Sequence, residues 1–264
     1  MITFREGLEA FLIVGIILAY LAQTRRIEMR KHVFAGTGLA IVASLVAAVI
    51  FNILAIEFEG PREEIFEGFV MLFAAAILTS MIIWMTRESS NISSNIRQKV
   101  DTNKAYGLFA LAFLSVFREG IETILFLGAA AMKTDANNIL YGGLAGIFVS
   151  IVVAYAVFKY SSHTDIHNFF KITSIFLIVF AAGLTAHGVH ELQEGGVIPT
   201  LNEHVWDINH ILDENGTAGS LMKSLFGYNG NPSLLEVISY AGYYVAVFLG
   251  LRIPQKQRTA TTTA

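Results

Sequence analysis

Six residues near the start of the chain, Phe4-Arg5-Glu6-Gly7-Leu8-Glu9, return almost unchanged as Phe117-Arg118-Glu119-Gly120-Ile121-Glu122. Both copies lie in otherwise apolar stretches. An ionised side chain at the centre of a bilayer costs roughly 2.5–3.5 kcal/mol on insertion scales. Two such motifs in the same residue order therefore point to a polar path through a membrane protein. On a helix, Arg5, Glu9 and Glu6 fall at about 0°, 40° and 100° and share one face. Gly7 falls on the far side, where it admits a close neighbour. If the two motif faces meet, Glu6, Glu9, Glu119 and Glu122 converge with Arg5 and Arg118, four carboxylates against two guanidinium groups. The net negative charge suits a multivalent cation. An all-oxygen ligand set favours hard ions such as Mg, Ca, Mn or iron(III) and disfavours copper(I). The rival use of the same residues is internal Arg–Glu pairing that pins two helices. It accounts for one Glu per motif and leaves the second without a role.

The elements that must position these residues are legible in the composition. The chain is 54% hydrophobic with 15% charged residues, against about 25% charged in a soluble domain. Its mean hydropathy is +0.58, so it reads as a polytopic membrane protein. The absence of cysteine excludes disulfides, thiolate metal sites and Cys nucleophiles. No basic patch suggests nucleic acid; the expected non-protein neighbour is membrane lipid. The N-terminus lacks a basic region before its apolar run, so no cleaved leader is expected. Only four residues precede Arg5, so the first helix is expected to be short on its outer side, and the completeness of the N-terminus stays open.

Seven apolar segments follow in order, over about 2–22, 33–56, 68–86, 105–132, 139–158, 172–190 and 234–251. A linker rich in Ser and Asn, from Arg87 to Lys104, divides them. The connection 191–233 is long, net acidic and expected to be partly helical; the tail 252–264 is expected to be disordered and cytoplasmic. Thirteen Lys and Arg fall in the first, third and fifth connections and the tail, against three in the others. By the positive-inside rule the N-terminus lies outside and the C-terminus inside. The motif identities, with Leu12 and Gly15 matching Leu125 and Gly128, and an echo of Phe73–Thr79 in Phe180–Thr185, make 1–86 and 105–190 two copies. Three spans is an odd number, so the copies are inverted, as in secondary transporters. The expected fold is an all-α membrane protein of seven transmembrane helices, a 3+3 inverted repeat plus one extra helix, forming one domain over 1–251.

Lesser signals surround this core. His187, His190, Glu191 and Glu194 have helical spacing at the outer end of segment six. They are either a group that captures cations or a solvated helix end. The order His-x-x-His-Glu differs from that of the zinc peptidases. Glu63, Glu64 and Glu67 either attract cations or form a solvated face. Met71, Met81 and Met85 read as packing residues, and Trp84 as an interfacial anchor.

The paired Arg-Glu-Gly-x-Glu motifs, seven spans and outward N-terminus resemble the high-affinity iron(III) permease family. The likeness is to its bacterial Efe-type branch, and it covers about residues 4–251. Further matches are Glu67-Gly68, Leu78-Thr79 to Trp84-Met85, Phe180-Ala-Ala-Gly-Leu184, His190-Glu191, Ser224-Leu-Phe-Gly-Tyr228, Pro232-Ser233 and Glu236. The resemblance implies a transporter without catalysis or a permanent cofactor, in the prokaryotic cytoplasmic membrane. It implies that Glu6, Glu9, Glu119 and Glu122 carry iron(III) as substrate, supported by Arg5 and Arg118. It further implies that iron(II) is oxidised outside, with an extracellular or periplasmic iron-binding protein and a haem peroxidase or ferroxidase as partners. Glu63, Glu64, Glu67, His190 and Glu191 are the residues expected to capture the ion at the outer mouth. The rivals are a transporter of manganese or lead(II), a membrane redox enzyme with His187 or His190 holding haem, and a structural protein stapled by its motifs.

Overall fold

In a bilayer the backbone of a single apolar segment satisfies its hydrogen bonds only as a helix. The computed structural model describes residues 1–56, 58–88, 100, 105–132, 136–160, 166–200, 202, 204–214 and 216–252, and over these the chain is helical with no strand. The helices are α1 (Ile2–Gln23), α2 (Arg30–Ile56), α3 (Pro61–Glu88), α4 (Ala105–Ala131), α5 (Ala136–Tyr160), α6 (Ile166–Glu194), the short α7 (Thr217–Phe226) and α8 (Leu234–Arg252). Five of them, α2, α3, α5, α6 and α8, are long and apolar enough to cross a membrane. The motifs lie on two other long helices, α1 and α4. Large apolar side chains face outward along α2 (Leu45, Val49, Ile53) and α5 (Leu144, Phe148, Val152). Helices apolar on their outer face suit lipid, and the protein is an integral membrane protein.

Helix pairing follows a simple rule. α2 packs on α4, α1 on α5, α3 on α6, and α1 meets α4; α8 lies against α6 and α3. Exchanging α1–α3 with α4–α6 leaves these first four pairings unchanged. Small residues make the close approaches. A Cβ on Gly7 would stand 2.6 Å from Ser150 Oγ, and one on Gly120 would collide with Ser44. Thr79 Oγ1 donates to Ala75 O at 2.6 Å in α3, and Thr185 Oγ1 to Ala181 O at 2.8 Å in α6. The pairs Ser44/Ser150 and Thr79/Thr185 are equally spaced along the chain, so α2–α3 and α5–α6 share one register, distinct from that of the two motifs. The interior is built chiefly where α3 and α6 cross, from Met71, Ala74, Leu78 and Ile82 against Leu177, Ala181 and Leu184.

The helices outrun the apolar segments at two places. α3 begins at Pro61, a residue whose missing N–H costs nothing in a first turn. Glu63, Glu64 and Glu67 therefore sit on α3 rather than in the connection before it. α6 runs on to Glu194, so His190, Glu191 and Glu194 share its last turns. The connection after it is partly helical, as expected, through α7. It also folds inward. α7 ends at Gly227, whose left-handed φ of 68° a side chain would strain and whose N–H bonds Lys223 O. Its Cα lies 2.6 Å from where a Cβ on Gly183 would stand, about three turns before the end of α6. The residues 89–99 and 101–104 of the Ser/Asn linker, Glu57, Lys133, Asp135, the link 161–165 and the tail from 253 lie outside the described residues.

Candidate metal site

The motif faces do meet. Arg5, Glu6 and Glu9 on α1 and Glu119 and Glu122 on α4 are all buried. One carboxylate oxygen each from Glu6, Glu9 and Glu119 lies within 4.8 Å of the others. Residues from two helices, more than a hundred positions apart, thus present three oxygens to a single point. Among the described residues, both oxygens of Glu6, Oε1 of Glu9 and Oε2 of both Glu119 and Glu122 are buried without a hydrogen-bond partner. Buried polar atoms are normally paired, so a cluster of open acceptors is the arrangement a cation would complete.

The two motifs are not equivalent in place. Arg5 is 1% exposed; its Nε stands 3.2 Å from Glu9 Oε1 and its Nη1 3.9 Å from Glu6 Oε1. Arg118 is 51% exposed, with Nε 2.7 Å from Glu122 Oε1. Glu122 is thereby tied to its own arginine, whereas Glu119 faces the first motif. Both arginines are held from the α3 side. Arg5 Nη1 reaches Met81 Sδ at 3.5 Å, and the Arg118 guanidinium lies over the Trp84 ring at 5.8 Å. Met71 packs in the core as expected. Met81 and Trp84 do more than the packing and anchoring read from sequence, since they seat the motif cations. The side chain of Met85 lies outside the description.

The residues expected at the outer mouth separate into two groups. Glu63, Glu64 and Glu191 lie within electrostatic reach of Glu67. They gather where α3 crosses α6, at a close approach in which a Cβ on Gly68 would stand 2.9 Å from Gly188 O. His190, with His187 and Glu194, lines a cavity of about 610 Å³ beside the 195–233 connection, whose lining does not include Glu63, Glu64 or Glu67; Glu191 belongs to both groups. Sequence reasoning assigned no role to Glu236 beyond the family likeness. The signal was present as Ser-x-x-Glu ahead of an apolar run. Ser233 N donates to Glu236 Oε1 at 2.8 Å, and Glu236 N to Ser233 Oγ at 3.3 Å, which closes the first turn of α8.

The chain is similar to the "Ferrous iron permease EfeU" of Yersinia pestis, 30% identical over 270 residues that cover 100% of this chain and 96% of the relative. It is 31% identical over 262 residues to the proteins of that name from Shigella sonnei and Escherichia coli O157:H7, covering 97% of this chain and 95% of each relative. No solved structure matches. The profile of the Iron permease FTR1 family matches residues 1–256. With its apolar helices, the chain is a membrane transporter of the cytoplasmic membrane and belongs to the iron permease FTR1 family.

Proposed function

We propose that the chain imports iron(III), passed between the carboxylates of Glu6, Glu9, Glu119 and Glu122. The observation that carries the reading is the convergence of three buried oxygens from both motifs within 4.8 Å. An all-oxygen set suits a hard trivalent ion, and the arginines limit the surplus negative charge when the ion has left. α1–α6 and α8 cross the membrane, with 1–86 and 105–190 as inverted copies. The Lys and Arg distribution supports an outward N-terminus and inward C-terminus. Glu63, Glu64, Glu67, His190 and Glu191 feed the path from outside. Iron(II) is oxidised outside by a haem peroxidase or ferroxidase and delivered with an extracellular or periplasmic iron-binding protein. A second reading, import of iron(II), is favoured by the names of the EfeU relatives.

The test is labelled-iron uptake in iron-starved cells, with ferric and ferrous supply compared in the presence and absence of an impermeant ferrous chelator. Glu6→Gln, Glu9→Gln, Glu119→Gln and Glu122→Gln are assayed at matched membrane abundance. At least tenfold loss in both motifs is expected, with chelator-resistant uptake of the ferric supply. Chelator-sensitive uptake transfers the reading to iron(II). Undiminished uptake in all four variants leaves the motifs as structural staples.

A further inference from the structure

The register shared by α2–α3 and α5–α6 sets Met81 opposite His187 and Trp84 opposite His190 in the sequence. On α3 these positions carry a thioether and an indole that seat the motif arginines. On α6 they carry two imidazoles, and both line the 610 Å³ cavity. The two ends of one architecture thus differ in chemistry, and the α6 end carries ligand-type side chains.

His190 is held in a particular way. Its Nδ1 lies 3.0 Å from Glu236 Oε1. Glu236 is 2% exposed, and its carboxylate also accepts from Ser233 N and from Asn229 Nδ2, each at 2.8 Å. A carboxylate fixed by three donors takes the Nδ1 proton as its hydrogen bond, which leaves the Nε2 lone pair facing the other way. There Glu194 Oε1 stands 3.3 Å from Nε2, one turn on along α6. With Nε2 unprotonated, its lone pair and this oxygen repel unless a cation lies between them, and a metal ion can take the place of the proton that otherwise bridges the two groups. Donors each about 2.1 Å from one metal ion stand roughly 3.0–3.4 Å apart, which is the spacing observed. A buried carboxylate that fixes the far nitrogen of an imidazole is the usual outer partner of a metal-bound histidine. An independent observation comes from Gln193, which lines the same cavity. It is 7% exposed, its Oε1 accepts from Ser233 Oγ at 2.7 Å, and its Nε2 has no hydrogen-bond partner. The wall of this cavity is therefore polar, and at Gln193 it holds a buried N–H donor that an ion-bound water would satisfy.

We propose that His190 Nε2 and Glu194 form a second cation site, separate from the motif carboxylates, with Glu236 as its positioning residue. The mixed nitrogen and oxygen set selects a borderline divalent first-row ion, iron(II) among them, rather than the hard ion suited to the all-oxygen site. Water in the cavity completes the coordination. The role of this site in uptake rests on the import reading above; its ability to bind a divalent ion does not.

Cobalt(II) added to the purified full-length chain in nanodiscs tests the proposal, because its visible absorption reports nitrogen ligation. His190→Gln and Glu194→Gln are each expected to lower cobalt affinity at least tenfold and to remove the absorption assigned to nitrogen ligation. Glu236→Gln is expected to lower affinity about 10–100-fold without touching the ion. The double variant Glu6→Gln/Glu119→Gln is expected to keep the signal. Unchanged absorption in Glu194→Gln, or a signal lost only in the motif double variant, overturns the site. Glu194 has a side chain 54% exposed, so its variant decides the matter even if the others fail to fold. Normal iron uptake by the motif variants would refute the path through the motif carboxylates and leave the cobalt result standing, and a missing cobalt signal would leave the uptake result standing.

Discussion

The same substitution in the two motifs is expected to have unequal effects on stability. Glu9 and Glu122 occupy matching motif positions, and each meets the Nε of its own arginine. Arg5, however, is 1% exposed and Arg118 is 51% exposed. Changing Glu9 to Gln removes the closer of the two counter-charges of a cation that water cannot reach. Breaking a buried pair on one side costs about 3–5 kcal/mol, and the lower end applies because the Gln amide oxygen keeps a partial negative charge beside Arg5 Nε. Glu6, with its nearest oxygen 3.9 Å from Nη1, compensates weakly. Changing Glu122 to Gln leaves a half-solvated guanidinium, for which a pair is worth about 0–1 kcal/mol. At about 2–4 °C per kcal/mol for a chain of this size, Glu9→Gln should lower the apparent melting temperature by roughly 6–12 °C, and Glu122→Gln by less than about 4 °C. Fluorescence-detected size exclusion after heating, at one heating rate because unfolding in detergent is commonly irreversible, reads the difference. Equal shifts, or a larger one for Glu122→Gln, would refute the claim that the arginines sit in different environments.

Two further outcomes follow from close approaches. Gly7→Ala places a Cβ 2.6 Å from Ser150 Oγ and should lower stability by about 1–3 kcal/mol. Adding Ser150→Ala should recover part of that loss, and strictly additive melting shifts would argue against the α1–α5 contact. Gly227→Ala strains a residue at φ 68° that also touches the backbone of Gly183. It should cost more than the roughly 1 kcal/mol typical of such a turn position alone, and a melting temperature unchanged from wild type would show that α7 does not dock against α6.

The motif residues, their helices and the membrane character of the chain were legible in order and type alone. Periodicity puts Arg5, Glu6 and Glu9 on one face, and the repetition at Arg118, Glu119 and Glu122 predicts a shared site, because local helical geometry is set by the backbone. The sequence also marked Gly7 as a packing position. What it does not determine is which side chains complete the surroundings. That Glu119 joins Glu6 and Glu9 while Glu122 stays with Arg118 depends on how α1 and α4 cross, each of them packed by its motif glycine against a serine of another helix. That Arg5 is sealed and Arg118 half open depends on Met81 and Trp84, far along the chain. Glu236 meets His190 only because α8 packs beside α6 and the 195–233 connection folds inward between them. Burial and ion pairing are properties of the space between elements. A linear pattern can nominate the charged residues, but only the packing decides which charges face each other and which of them water can reach.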